Sequence, residues 1–575
     1  MRPTILEALS DLYGPAAAHD VAGRLQNMLD EYRPRLPFPH PRSFSERDAI
    51  LITYGDMVRA PSAPPLAVLA DILRRHVAGL VSAIHLLPFF PYSSDDGFSV
   101  IDYHTVDPAL GDWSDIAALG AQFQLMIDAV VNHVSTQHNW FRRFCDNAPR
   151  YRDYFIVVDP ATDLSRVFRP RARPLLNPAQ TAAGRKHVWT TFSADQIDLN
   201  YRNPDVLLAV LEVLLFYVSQ GASFLRLDAI AYLWKEPGTS SIHRPQTHRI
   251  VQLMRAVLDE VAPQVILITE TNVPHPDNIA YFGDGANEAQ MVYNFSLPPL
   301  VLHAFHTGDA AALARWAAAL TTPSEKVTFF NFLASHDGIG VTPARGILSD
   351  AAIEALAERT LALGGRVSYK SNPDGTQSAY ELNINYLDAL GDPAHADEPL
   401  EIIARRFLCA QAIMLALRGV PGIYFHSLFG SRGWPTGVAR TGRPRTINRQ
   451  KLQRAPLEAE LADPHSLRKR IFSQFAHMLR VRRACPAFHP SGAQRVLVVE
   501  PAVFAVLRSD PAGETHVLCL HNVSAVPRRL ALPETELPFS RNAGLADLLG
   551  NSGALYGAEL TLAAYQRLWL VEAKN

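Results

Sequence analysis

The chain has 575 residues, several times the ~100 to 200 residues of a usual single-core domain, so a large barrel or several domains are expected. Lys and Arg number 54 and Asp and Glu 56, a net charge of -2, which excludes a general basic surface for nucleic acid or an anionic membrane. The four cysteines lack the spacing of a structural zinc site or a disulfide framework, since they lie at positions 145, 409, 485 and 519.

The N-terminal sequence MRPTILEALSDLYGP lacks the apolar block of ~7 to 15 residues that a secretory signal carries. Elsewhere the longest apolar runs, such as 206–218, fall short of the ~20 residues that a membrane span requires. We therefore expect a cytoplasmic protein with no membrane partner.

Residues 4–32 carry apolar side chains at helical spacing and end in the Pro-rich RPRLPFPHPR, so a helical extension is predicted over 1–47. From residue 48, short runs rich in β-branched and aromatic residues alternate with longer amphipathic stretches, a rhythm typical of βα units around a parallel sheet. We predict a (β/α)8 TIM barrel over 48–485, because there are eight such runs. They lie at 49–56, 82–89, 124–133, 223–230, 265–271, 290–299, 327–338 and 419–430.

Two gaps between strands, at about 137–197 and 340–400, are too long for one helix. We predict that they are loop-like inserted subdomains that roof the active site, because they follow the carboxyl ends of strands. After the barrel, residues 486–575 contain short alternating runs such as VFAVLRS and HVLCLHN. These runs predict a C-terminal antiparallel β-sandwich.

The fourth run contains Arg226 and Asp228, which alternate with Leu225 and Leu227 and therefore share one face of the strand. In the barrel mouth, the guanidinium would keep the Asp228 carboxylate ionised, as a nucleophile requires. Taken alone, the pair is equally consistent with a structural ion pair at the end of a strand.

Two more acids follow apolar runs. Glu270 ends the fifth run, where desolvation would raise its pKa and suit it to general acid catalysis, and Asp337 follows His336 after the seventh. Because all three acids end strands of one barrel, we expect them to meet at its carboxyl rim. Paired carboxyl groups that act as nucleophile and as acid/base are typical of enzymes that cleave a glycosidic bond.

The segments DAVVNH, FLRLDAIAY, ILITETN and FLASHDG resemble, in this order and on the matching strands, the four sequence regions of the α-amylase superfamily, glycoside hydrolase family 13. Within it, RPR, KEPGTS, GVPGIY and TINR are similar to the sucrose phosphorylase branch. SSDDGFSVIDYH, ITETNVPH, FSLPPLVLHA and NFLASHDGIG are most similar to the glucosylglycerate phosphorylase group of that branch. The resemblance covers nearly the whole chain and implies a retaining phosphorylase.

The resemblance also implies roles for the residues at matching positions. It makes Asp228 the nucleophile, Glu270 the acid/base and Asp337 the transition-state stabiliser. It further implies that Arg226 orients the nucleophile and that Arg171, in RPR, contacts phosphate with its planar fork. The other matching residues would bind the glucosyl group or line the mouth of the pocket: Asp95, Phe98, His133, His336, Arg449 and Tyr232.

Two positions depart from the sucrose-specific members. Those members have His two residues after the acid/base and Tyr-Gln in the roof, whereas this chain has Asn272 and Tyr380-Glu381. We expect these residues to border the leaving group, which argues against fructose. The calcium ion of many amylases is not implied, and Asn132 is instead expected to hydrogen-bond a neighbouring loop; no metal site is predicted.

The expected activity is phosphorolysis of a small α-glucoside with retention, giving α-D-glucose 1-phosphate, with glucosylglycerate as the favoured substrate. Inorganic phosphate would be a co-substrate, and no cofactor is implied. Phosphorylases acting on sucrose or glucosylglycerol, and an α-glucosidase using water, are the alternatives. An inactive barrel is disfavoured because all three carboxylates are present.

Partners other than the glucoside and phosphate are not indicated. The basic stretch 440–449 lacks interleaved aromatic residues and is not expected to bind nucleic acid, and the oligomeric state is not readable. Glycerate would need a cation near its carboxylate, and three residues of the predicted roof are candidates: Arg173, Arg345 and Lys370.

Overall fold

The structure is a computed structural model that describes residues 2–40, 43–61, 63–171, 173–372, 376–395, 397–532, 537–540, 544–550 and 559–573. Eight parallel strands form a closed barrel, in which each pairs with the next and the last pairs with the first. Every strand falls on one of the eight predicted runs, so the predicted barrel is confirmed. The barrel strands β1 to β8 are Ile50–Thr53, Ala83–Leu86, Gln124–Ala129, Ala222–Leu227, Ile266–Thr269, Met291–Tyr293, Thr328–Phe332 and Val420–Tyr424.

Helices between the strands cover the outside of the barrel. Helix Pro65–His76, for example, buries Leu66, Leu69 and Leu73, which recur at helical spacing and join the same apolar core as the strands. No helix in the described ranges is both long and apolar enough to span a bilayer. The main barrel helices are Pro65–His76, Trp113–Gly120, Pro204–Ser219, Pro245–Val261, Leu297–Thr307, Ala311–Ala318, Leu400–Ala416 and Leu467–Ala484. Shorter helices lie at His275–Ile279, Tyr386–Ala389, Phe425–Leu428, Pro435–Thr441 and Arg454–Ala462.

Both insertions contain regular structure, which the prediction of loop-like segments missed. The first has helix Asn139–Cys145 and the hairpin Leu176–Thr181 with Gly184–Trp189. Its strand Gln196–Asp198 pairs with His133–Ser135, which follows β3.

The second insertion has helix Asp350–Ala362 and the hairpin Arg366–Ser371 with Gln377–Asn383. Strand Ile339–Gly340, which follows β7, adds to this hairpin and ties the roof to the barrel rim. The hairpin strands contain many polar residues, so they lack the apolar pattern by which strands are found in a sequence.

The two ends of the chain add elements to the barrel. Helices Pro3–Tyr13 and Pro15–Tyr32 form the N-terminal segment. At the C-terminal end, a five-stranded and a two-stranded antiparallel sheet enclose a Leu-rich core, as predicted for a sandwich. The division of the chain at residues 47 and 485 stays a prediction. The strands of the larger sheet are Ala493–Glu500, Val503–Ser509, His516–Asn522, Arg567–Glu572 and Leu545–Asp547, and those of the smaller are Arg528–Ala531 and Glu559–Leu562.

A buried arginine joins the amino ends of β1 and β8. Arg482 is 1% exposed and donates hydrogen bonds to five backbone carbonyls, including those of Asp48 before β1 and Gly419 before β8, both at 3.1 Å. Burial lowers its pKa to about 10. Carbonyl groups are weaker partners than a carboxylate, so the guanidinium is held by the number of its hydrogen bonds.

We expect Arg482→Leu to lower the free energy of unfolding by at least ~3 kcal/mol, because it leaves several buried carbonyls without a donor. Urea unfolding followed by circular dichroism measures the change. Arg480→Leu, on the exposed side of the same helix, is the control and should change stability by no more than ~0.5 kcal/mol. Equal stabilities of the two variants would contradict the role given to Arg482.

Candidate active site

The carboxyl ends of the barrel strands and the two insertions enclose a cavity of about 770 Å³. Its walls include twelve of the fourteen site residues predicted from the sequence; the other two, Arg226 and Arg449, lie behind the wall and hydrogen-bond to residues that form it. The twelve are Asp95, Phe98, His133, Arg171, Asp228, Tyr232, Glu270, Asn272, His336, Asp337, Tyr380 and Glu381.

One guanidinium joins the predicted nucleophile and the predicted acid/base. Nη1 of Arg226 donates to Oδ1 of Asp228 at 2.8 Å and also to Asp128 on β3, while Nη2 lies 3.9 Å from Oε1 of Glu270. Asp128 in turn pairs with Nε2 of His85 at 2.7 Å. The alternation of Arg226 and Asp228 with apolar residues in and after β4 brings both side chains to this inner face.

The backbone after Asp228 is bent into the left-handed region. Ala229 has φ 49°, which costs a residue with a Cβ of order 1 kcal/mol. The bend directs the N–H of Ala229 to Oε2 of Glu270, at 3.1 Å. The strained residue therefore fixes the acid/base carboxyl relative to the nucleophile.

The three carboxyl groups differ in acidity. Burial, with the charges of Asp228 and Asp337, raises the pKa of Glu270 to about 7, although Arg226 opposes the rise. Burial also raises the pKa of Asp228, and Arg226 only limits that rise. Arg226 acts in the expected direction, since its charge and hydrogen bond lower the pKa of Asp228, but removal of the carboxyl group from water is the larger effect.

Asp337 has the opposite shift. Burial alone would raise its pKa, but the charges of Arg445 and Arg449 overcome burial and hold the pKa well below its usual range. The contacts are close, with Oδ1 of Asp337 2.5 Å from Nη1 of Arg445 and 3.2 Å from Nη2 of Arg449. Asp337 therefore stays ionised while Glu270 holds a proton near neutral pH.

Arg445 is also the partner of Glu381. Its Nε lies 2.9 Å from Oε1 of Glu381, and Nη2 contacts the other carboxylate oxygen, a bidentate pair. The side chain of Glu381 is only 3% exposed. Glu381 therefore lies at the pocket wall with its charge compensated by Arg445, which bridges it to Asp337.

The residues expected around the glucosyl group lie together on the other side of the pocket. Phe98 and His336 stack with ring centroids 4.8 Å apart, and burial lowers the pKa of His336 to about 3, so its ring is neutral. His133 is buried, with Nε2 2.9 Å from the Phe98 carbonyl. Nη1 of Arg449 lies 3.5 Å from Oδ1 of Asp95.

Asn272 and Tyr380 lie on the wall nearest Glu270, with Tyr232 close by. The Asn272 amide packs directly against Gly340, where a Cβ would come within 2.6 Å of both amide atoms. Oδ1 of Asn272 is buried without a hydrogen-bond partner. Because that oxygen has no exposed surface, the structure does not present it to a ligand in the cavity.

Arg171 is held differently from the other arginines. Its guanidinium carbon lies 5.5 Å from the ring centroid of Phe192, and Nη2 lies 3.7 Å from Oδ2 of Asp95, beyond a hydrogen bond. The other candidate cations of the roof do not line the pocket. Arg345 pairs with Asp350 at 2.8 Å, and Nζ of Lys370 lies 5.8 Å from the ring of Phe168.

Arg173, the third candidate, is exposed to solvent. The prediction for Asn132 is confirmed, since its Oδ1 accepts a hydrogen bond from Nζ of Lys235 at 2.7 Å, in the loop after β4. Lys235 also pairs with Asp198 at 2.9 Å. The chain thus supplies its own cation to this amide oxygen.

The lining residues that sequence reasoning missed include Arg445, Phe192 and Gln196. Arg445 lies in the basic stretch 440–449, four positions before Arg449, and that spacing was the available signal. Phe192 and Gln196 are in the first insertion, where no pattern marks the residues that face inward.

A family model described as the catalytic domain of alpha amylase matches residues 78–344. The chain is 50% identical to a glucosylglycerate phosphorylase of Spirochaeta thermophila, over 99% of this chain and 98% of that protein. It is 52% identical to a glucosylglycerate phosphorylase of Allomeiothermus silvanus, over 92% and 94% of the two chains. The crystal structure of a sucrose 6F-phosphate phosphorylase from Thermoanaerobacter thermosaccharolyticum superposes with a TM-score of 0.72 and 23% identity, covering 83% of this chain and 94% of that chain.

We expect Arg445→Met to lower the free energy of unfolding by ~3 to 5 kcal/mol, because it leaves the buried carboxylate of Glu381 uncompensated beside Asp337. Adding Glu381→Leu should restore part of that loss, and the double-mutant cycle should give a coupling of at least ~1 kcal/mol. Denaturant unfolding measures all four proteins. Arg443→Met, an exposed position of the same stretch, is the control; additive effects of the two substitutions would contradict the coupling.

Proposed function

The chain belongs to the α-amylase family of carbohydrate enzymes and, within it, to the glucosylglycerate phosphorylases, and from this membership we propose that it cleaves glucosylglycerate with inorganic phosphate. The products are α-D-glucose 1-phosphate and glycerate. The observation that carries the proposal is the group of three carboxyl groups on one cavity, of which Glu270 is largely protonated below pH 7 and Asp337 is ionised.

In the first half-reaction, a carboxylate oxygen of Asp228 attacks the anomeric carbon and the bond to the glycerate oxygen breaks. Glu270 gives its proton to that oxygen, so the departing oxygen becomes a hydroxyl group of glycerate. The carboxylate of glycerate keeps its negative charge. Arg226 holds Asp228 at 2.8 Å and approaches Glu270, which orients both groups before the substrate arrives. The result is a β-glucosyl ester of Asp228.

Charge develops on the sugar ring during this step. Asp337 is the group best suited to stabilise it, because Arg445 and Arg449 keep its carboxylate ionised and fixed in position. His133 and His336, with the stacked ring of Phe98, supply a neutral surface and donors for the sugar hydroxyls. These groups bind the glucosyl part in both half-reactions.

In the second half-reaction, phosphate replaces glycerate. Glu270, now ionised, takes a proton from phosphate as a phosphate oxygen attacks the anomeric carbon and the ester bond to Asp228 breaks. Two inversions give retention. We assign Arg171 to phosphate because its guanidinium lines the pocket and is not in a hydrogen bond to any carboxylate.

We expect the purified enzyme to convert glucosylglycerate to glucose 1-phosphate only when phosphate is present. Glucose and glucose 1-phosphate are measured separately, with and without phosphate. Asp228→Asn, as the control, should reduce turnover at least ~1,000-fold while the circular dichroism spectrum and melting temperature stay close to wild type. Release of free glucose at the same rate without phosphate would identify a hydrolase and contradict the proposal.

The raised pKa of Glu270 gives a pH dependence. The acid form, present below about pH 7, is the one that protonates the leaving group, so kcat/KM for glucosylglycerate should fall as pH rises through about 7, approaching tenfold per unit. This parameter reports the first half-reaction, so the titration of phosphate does not enter it. Glu270→Gln should remove the descending limb; an unchanged rate up to pH 9 in the wild type would rule out Glu270 as the acid.

A further inference from the structure

We propose that Arg171 binds the carboxylate of the departing glycerate as well as phosphate, so that a single guanidinium holds both anions in turn. This inference rests on the proposed function and adds the recognition of a negatively charged leaving group. It also makes Arg171 the residue that favours an anionic acceptor over a neutral one of similar size, such as glycerol.

The charge of the wall creates the need for such a residue. Five carboxyl groups line the cavity, against two guanidinium groups, Arg171 and Arg445. The five are Asp95, Asp228, Glu270, Asp337 and Glu381. An entering anion therefore meets more acidic than basic groups and requires a cation that is not already paired with a carboxylate.

The other arginines near the cavity are already engaged with carboxylates. Arg445 is bridged between Asp337 and Glu381, with contacts of 2.5 and 2.9 Å. Arg226 is hydrogen-bonded to Asp228 and Asp128 behind the wall. Arg449, buried at 4% exposure, pairs with Asp96 at 2.6 Å and with Asp337.

Arg171 is oriented without being neutralised. Its side chain is 26% exposed, its guanidinium lies over Phe192, and its contact with Asp95 is 3.7 Å long. Stacking on an aromatic ring fixes the plane of the guanidinium and leaves its N–H groups for ligands. The planar fork suits a carboxylate and a phosphate equally well, because both present paired oxygens.

The retaining mechanism brings the two anions to the same place. The glycerate oxygen leaves, and the phosphate oxygen arrives, on the same face of the sugar, and Glu270 exchanges a proton with each. Glycerate has only three carbons, so its carboxylate stays within a few bonds of the oxygen that carries the glucose. Both anionic groups therefore lie in the cavity that Glu270 and Arg171 both line.

The test compares anionic and neutral acceptors with a donor that contains no phosphate. α-D-Glucosyl fluoride forms the glucosyl enzyme, and transfer to glycerate and to glycerol is measured as kcat/KM for each acceptor. We expect Arg171→Ala to lower the glycerate-to-glycerol ratio by ~10- to 100-fold, the value of a charge-assisted hydrogen bond. Arg173→Ala, an exposed arginine of the same loop, should keep the wild-type ratio.

A second measurement uses phosphate on the same proteins. In Arg171→Ala, KM for phosphate in phosphorolysis should rise by a similar factor, and Arg171→Lys should recover part of both losses because it keeps the charge. A raised KM for phosphate with an unchanged acceptor ratio would overturn the shared role. Wild-type enzyme that transfers glucose to glycerol but not to glycerate would instead refute the proposed function. Arg171→Gln serves in place of the Ala variant should that variant fail to fold.

Discussion

The guanidinium of Arg226 is the contact on which the catalytic geometry depends. It lies among the carboxyl groups of Asp128, Asp228 and Glu270, which come from three neighbouring strands. The parallel barrel brings these side chains together because residues at matching heights on β3, β4 and β5 face the same interior. Without the cation, three acids at this separation would repel one another, and at least one would have to be neutral.

Acids of one chemical type acquire different roles through their neighbours. Glu270 is near a single cation and two other acids, so it holds a proton up to about pH 7. Asp337 lies between Arg445 and Arg449 and is ionised throughout the working range. The proton that the reaction requires is thus held at one defined carboxyl, and the fixed negative charge at another. This separation is what a retaining mechanism needs from paired carboxylates.

The barrel strands and the positions of the three acids were predictable, because short stretches of the sequence determine them. The barrel strands carry compact apolar runs, and the acids stand at their ends, so Asp228, Glu270 and Asp337 could be named from spacing alone. The bridge from Glu381 through Arg445 to Asp337 was not predictable, since it joins three separate segments of the chain whose relative positions no pattern specifies. The effect of burial on the pKa of Asp228 was not predictable either, because the depth of burial is a property of the folded pocket.

The pairing of Arg445 with two carboxylates bears on how a pocket lined by acids can bind an anion. Because Glu381 and Asp337 neutralise Arg445, the guanidinium on the cavity wall that is left for a ligand is that of Arg171. When glucosylglycerate binds, Glu270 is protonated and does not repel the carboxylate. Once the proton has been given to the leaving oxygen, Glu270 is an anion next to glycerate, and their repulsion favours release. Phosphate then restores the balance, because it brings a proton that Glu270 can accept. In the mechanism proposed above, the change in charge of Glu270 therefore favours the exchange of one anion for the other at Arg171.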